Sequence, residues 1–171
     1  MGSGSGGPYT GTSGGSQPYA ESYHVVSKEL AKDKTDSDIY SKSSGYFKNP
    51  TAVTLDSSVN GNRIAFEGHS AEGRMTYVLN KNGDIIFGKR CNPNDDRKRA
   101  PHPTLIGGKD PQVQCAGMIT FRKGRILSVD NKSGHYRPHS KSMEKVDAAL
   151  QKLYEKNPNL FDKNSKWRKK E

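Results

Sequence analysis

The stretch NKSGHYRPHS, residues 131–140, places a hydroxyl (Ser133), an imidazole (His135), a phenol (Tyr136) and a guanidinium (Arg137) within five positions, beside one glycine and one proline. Each group can do chemistry. An imidazole titrating at about 6.5 gives and takes protons near neutral pH. A guanidinium holds phosphate through two parallel bonds. A phenol stacks on a base or donates to an oxygen. Together they suit phosphodiester cleavage without a metal: one group takes the 2′-OH proton, another protonates the leaving 5′ oxygen, and cations hold the phosphate. His135 is the expected acid or base, with Tyr136 and Arg137 beside it and Ser133 as a substrate contact. His102, in APHPTLIGG, is the expected second acid/base group; a carboxylate, Glu67 or Glu72 beside His69, is its alternative. Lys123, Arg125, Lys89 and Arg90 are the expected phosphate-binding cations. The bland reading of the loop is a structural histidine, a tyrosine packed under a helix and an arginine in water.

These residues need a scaffold that fixes them. MTYVL, the turn NKNG and DIIFG read as a β-hairpin, and AGMITF, RKG and RILSV as a second one. AVTLDSS and NRIAFEGHS alternate as short strands do, and TLIGG reads as one more. The segment SMEKVDAALQKLYEK puts Met143, Val146, Leu150, Leu153 and Tyr154 on one helical face. Ser140 or Ser142 is placed to cap its start, and Asn157–Pro158 ends it. A short helix is expected near residues 26–33. The fold class is therefore α+β: an antiparallel meander of four or five strands, a C-terminal helix packed across it and a short N-terminal helix. The chemical loop lies between the last strand and the last helix. Gly134 lets the chain turn there, and Pro138 keeps Arg137 out of the right-handed helical region.

The chain has 171 residues, a net charge of +10 and 30% hydrophobic residues. That suits one domain and a modest core. Residues 1–22 are nearly pure Gly, Ser, Thr, Pro and Tyr and read as a flexible linker; 23–161 read as the domain and 162–171 as a basic tail. The positive charge favours a polyanionic partner, RNA first. No apolar run is long enough to span a membrane and no signal-peptide pattern opens the chain, so export is expected by another route. Two cysteines, Cys91 and Cys115, form neither a disulfide scaffold nor a metal site. A nucleophilic pairing of Cys115 with His102 or His135 is allowed by composition, but nothing marks the thiol as activated. Asp95 and Asp96 sit together in a polar loop, where solvated charge is the commoner meaning. There is no Walker loop, GxSxG elbow or zinc spacing, and no cofactor or metal is expected.

The strand and loop RILSVDNKSGHYRP resembles the end of barnase-like ribonucleases, whose terminal motif DHY carries the catalytic acid on its His; the resemblance places His135 and Tyr136 on the matching positions. A longer resemblance, over residues 75–163, is to the conserved domain of plant IQ-motif calmodulin-binding proteins and its bacterial relatives. It runs through TYVLNKNGDIIFG, HPTLIGG, CAGMITF, RKG and SGHYRP in order, and it implies a shared fold and a shared site at His102, Ser133, Gly134, His135, Tyr136 and Pro138. No IQ motif is present, so calmodulin is not an expected partner. A basic domain behind a Gly/Ser linker also resembles the C-terminal toxin domains of bacterial polymorphic effectors. That resemblance implies delivery into a target-cell cytoplasm and a cognate immunity protein. The expected function is a metal-independent ribonuclease toxin. The first rival is an ADP-ribosyltransferase or NAD hydrolase, for which His24, Tyr40 and Glu155 are the candidate residues. The second is a binding module for phosphate or peptide, without turnover.

Overall fold

The structure, a computed structural model, describes residues 16–49, 53–89, 91–92 and 95–169, of which 91–99 as backbone only. Its central sheet has five strands: β1 (Val53–Thr54), β2 (Gly73–Leu79), β3 (Ile85–Gly88), β4 (Cys115–Arg122) and β5 (Arg125–Val129). All pairs are antiparallel and the order is β5-β4-β2-β3-β1, so two hairpins stand side by side. Among the described residues three helices accompany it: α1 (Ser27–Asp33), α2 (Met143–Lys156) and α3 (Lys166–Lys169). The α+β class, the sheet and both flanking helices agree with the sequence reading.

Turn chemistry starts each hairpin. Lys123 and Gly124 both take positive φ, 52° and 80°, between the paired residues Arg122 and Arg125. That two-residue geometry matches the right-handed twist of its strands. In the other hairpin the Asn80 carboxamide oxygen accepts from the N–H groups of Asn82 and Asp84, which pins the turn.

Both faces of the sheet are buried. Tyr77, Leu79, Cys115, Ile119 and Phe121 pack with Val146, Leu150 and Leu153 of α2. Val78 and Ala116, pointing the other way, pack with Tyr23, Leu105, Val113 and Tyr136. Successive strand residues face opposite sides, so a strand covered twice reads as a continuous apolar run, as MTYVL does. Each such large side chain contributes about 1.5–3 kcal/mol by leaving water.

Several local expectations change. TLIGG is not a strand: His102–Leu105 form a 3-10 turn, because Pro103 lacks the N–H a ladder needs and favours a first helical turn. Neither serine caps α2. The His139 Nδ1 accepts from the Lys141 N–H, and the Ser142 hydroxyl bonds Tyr23 instead. Residues 162–169 are not a solvated tail, since Trp167 is buried against Phe161 with ring centroids 5.0 Å apart. Residues 16–22 are not free linker either: the Gln17 N–H donates to the Arg137 carbonyl at 2.7 Å. The loop expected around Asp95 and Asp96 is in part a short ribbon, Cys91–Asn92 with Asp95–Arg99.

Candidate functional site

The loop after β5 is fixed by one close approach. A Cβ on Gly117 of β4 would lie 1.9 Å from the Asp130 carbonyl oxygen, so only glycine lets the chain leave β5 along this path. Beyond it the Arg137 N–H donates to the Ser133 carbonyl at 2.7 Å, closing a single helical turn. The left-handed residue ending that turn is Arg137, with φ of 45°, rather than Gly134. Pro138 excludes the right-handed alternative for Arg137, as its sequence position implies. A left-handed non-glycine residue costs about 1–2 kcal/mol. Here the Arg137 Nε donates to the Gly134 carbonyl, and the Gln17 N–H holds the Arg137 carbonyl.

Within this loop most of the chemical groups turn inward. Tyr136 is fully buried and its hydroxyl donates to the Pro111 carbonyl. Burial, with Asp110 and Asp33 adding to it, pushes its phenol well above the ordinary value. Ser133 is 1% exposed and accepts from the Tyr136 N–H. Arg137 is 9% exposed. Tyr136 therefore cannot stack on a base, and the Arg137 guanidinium is bound to its own loop.

His135 is the exception. Its Nε2 lies 2.7 Å from Asp33 Oδ2 and 3.7 Å from Glu29 Oε1. Glu29 and Asp33 are four residues apart on α1 and so share one face. Asp33 has no solvent exposure and ends its helix, where the dipole disfavours a carboxylate. A buried carboxylate in that position is held by what it bonds. The Val26 N–H also donates to the His135 carbonyl at 2.8 Å, tying the start of α1 to the loop. The second ring nitrogen, Nδ1, makes no hydrogen bond to the described residues, and it is not sealed off, because among them Tyr154 Oη alone is a buried side-chain polar atom without a partner. The arrangement can orient an imidazole through a carboxylate and leave its other nitrogen for a proton transfer.

The remaining expected site residues do not converge on it. His102 is 7% exposed and its Nε2 bonds the Gly117 carbonyl at 2.7 Å. It supports the same glycine crossing and is a brace for the loop. Lys123 and Arg125 lie at the hairpin tip, the opposite end of β5 from the loop. The Lys123 N–H donates to Glu72, and Lys89, which follows β3, pairs with Glu67 at 2.8 Å. Arg90 lies outside the described residues, as do the side chains of Asp95 and Asp96. Cys115 is buried, its Sγ bonds Tyr77 and Met143, and burial pushes its thiol up to about 12. It is no nucleophile for either histidine. His24 pairs with Asp110 on the surface, Tyr40 packs on Phe47, and Glu155 bonds Gln151 on α2, each on a separate element.

Sequence reading missed Glu29 and Asp33. The available signal was their four-residue spacing in SKELAKD, which puts two carboxylates on one face of a short helix. No protein-family model, curated protein or solved structure matches the chain at a significant level.

Proposed function

We propose that the chain is a toxin-type, metal-independent ribonuclease in which His135 and Glu29 are the acid/base pair and Asp33 positions the imidazole. The observation that carries this reading is the 2.7 Å bond from His135 Nε2 to the buried Asp33, with the His135 side chain 12% exposed and Nδ1 bonded to none of the described residues. Glu29 takes the place expected for His102, as the nearest second titratable group. In this scheme the Glu29 carboxylate removes the 2′-OH proton and the 2′ oxygen attacks phosphorus. The bond from phosphorus to the 5′ oxygen breaks, and that oxygen takes the Nδ1 proton of doubly protonated His135. The products are a 2′,3′-cyclic phosphate and a 5′-hydroxyl. Asp33 stabilises the imidazolium before transfer. The net charge of +10 supports attraction to RNA, and Lys32 and Lys132 are exposed cations adjoining the pair in sequence. A toxin of this kind would act in the cytoplasm of a target cell and would need an immunity protein in its producer.

The test is total RNA incubated in EDTA with the wild-type chain, His135→Ala, Glu29→Gln and Asp33→Asn. Cleavage by wild type is expected, with a loss of about 10²–10⁴-fold in the first two variants. Intact RNA, or equal cleavage by all four proteins, removes the reading. A second reading, a binding module without turnover, is favoured by the burial of Ser133, Tyr136 and Arg137, which leaves the loop with few free groups. NAD consumption by the same proteins tests the ADP-ribosyltransferase alternative.

A further inference from the structure

Across the sheet from His135, a groove of about 370 Å³ runs between α2 and the β2–β3 turn. It lies on the opposite face because Leu79 lines it, whereas its neighbour Val78 packs with Tyr136. Its floor is apolar: Leu55, Leu79, Ile85 and Leu153. Ala148 and Ala149 keep it open on the helix side, where longer side chains would fill it. Lys145, Lys152 and Lys156 recur at helical spacing along one rim. Lys145 is already engaged, with Glu21 at 3.1 Å and with its ammonium 5.6 Å from the centre of the Tyr19 ring. Lys152 and Lys156 are exposed and have no ion-pair partner among the described residues. Asp56 and Asp84, also exposed, stand on the other wall.

We propose that this groove binds an amphipathic monoanion: an apolar chain or ring system on the leucine and isoleucine floor, with one carboxylate, sulfonate or phosphate ester held by Lys152 and Lys156. Volume and lining match a small-molecule site, apolar with a few placed charges. The lysines alone would suit a polyanion. The aspartates opposite repel a ligand charged along its length, as RNA is, and admit one whose charge is confined to the lysine rim. The groove and the His135 site are thereby separated in face and in ligand chemistry.

The experiment is a fluorescence titration of the full chain with 1-anilinonaphthalene-8-sulfonate, competed with decanoate. Unchanged circular dichroism and melting temperature establish that each variant is folded. A saturable one-site signal displaced by decanoate is expected. The exposed double variant Lys152→Gln/Lys156→Gln should weaken it about tenfold, the loss of two exposed ion pairs. Ala148→Trp, which fills the mouth from an exposed position, should abolish it. Asp84→Asn should leave the dye bound and admit a dianionic competitor more readily. Absence of saturable binding, binding unchanged in the double variant and in Ala148→Trp, or a dye signal that decanoate does not displace would each overturn the proposal. None of these readouts involves RNA cleavage, so the outcome is independent of the reading at His135.

Discussion

The two ends of β5 carry similar residue types and use them differently. At the hairpin tip Lys123 and Arg125 point into water, and what fixes the chain is backbone: Ile64 N–H to Gly124 O at 2.6 Å and Gly124 N–H to Ala71 O at 2.8 Å. At the other end the loop buries its hydroxyl, phenol and guanidinium to hold its own path, and leaves one imidazole partly open. A polar cluster in sequence is thus ambiguous. Its side chains serve a ligand only where the backbone's own hydrogen bonds are satisfied without them.

That contrast can be broken most severely at Gly117. Gly117→Ala forces a Cβ into the Asp130 carbonyl at 1.9 Å and should cost more than about 4 kcal/mol, leaving a chain that does not reach a cooperative melt by circular dichroism. Tyr136→Phe should cost about 1–3 kcal/mol in urea unfolding, because it strands the buried Pro111 carbonyl. If Tyr136 instead served a ligand, stability would be unchanged.

Alkaline titration probes the same end of the sheet. The folded state keeps Cys115 protonated up to about 12, whereas the unfolded thiol ionises at about its ordinary value of 9.0. Its contribution is full below pH 9.0 and is lost as pH rises through about 12. The slope is at most about 1.4 kcal/mol per pH unit. Tyr77, raised by burial and then by Cys115, acts in the same direction. The stability difference between wild type and Cys115→Ala should therefore shift against wild type from pH 8 to pH 11, read from urea midpoints. The smallest effect belongs to the tip. Lys123→Ala with Arg125→Ala should change stability by less than about 0.5 kcal/mol. RNA cleavage by that pair should stay close to wild type, whereas a large loss would return the phosphate clamp to the hairpin.

How much of this was legible can be followed residue by residue. NKNG and RKG declared their turns, and the spacing of Val146, Leu150 and Leu153 declared α2, because those signals act within a few residues. TLIGG misled because Leu105 and Ile106 look like strand residues, while Pro103 fixed a 3-10 turn before them. Trp167 looked like part of a basic tail because its neighbours are lysine and arginine, and only its packing on Phe161 shows otherwise. His135 could be singled out, yet its partner Asp33 lies 102 positions away and no local pattern links them.

By itself, then, the sequence determined the hairpins, the main helix, the α+β class and a basic surface, all consequences of short-range periodicity, turn preference and summed charge. Only the tertiary structure decided that Tyr136, Arg137 and His102 hold the loop, that Lys123 and Arg125 lie at the far end of the strand, and that α1 supplies two carboxylates to His135. Those outcomes depend on which face of the sheet each segment covers, and that is settled by burial of one element against another.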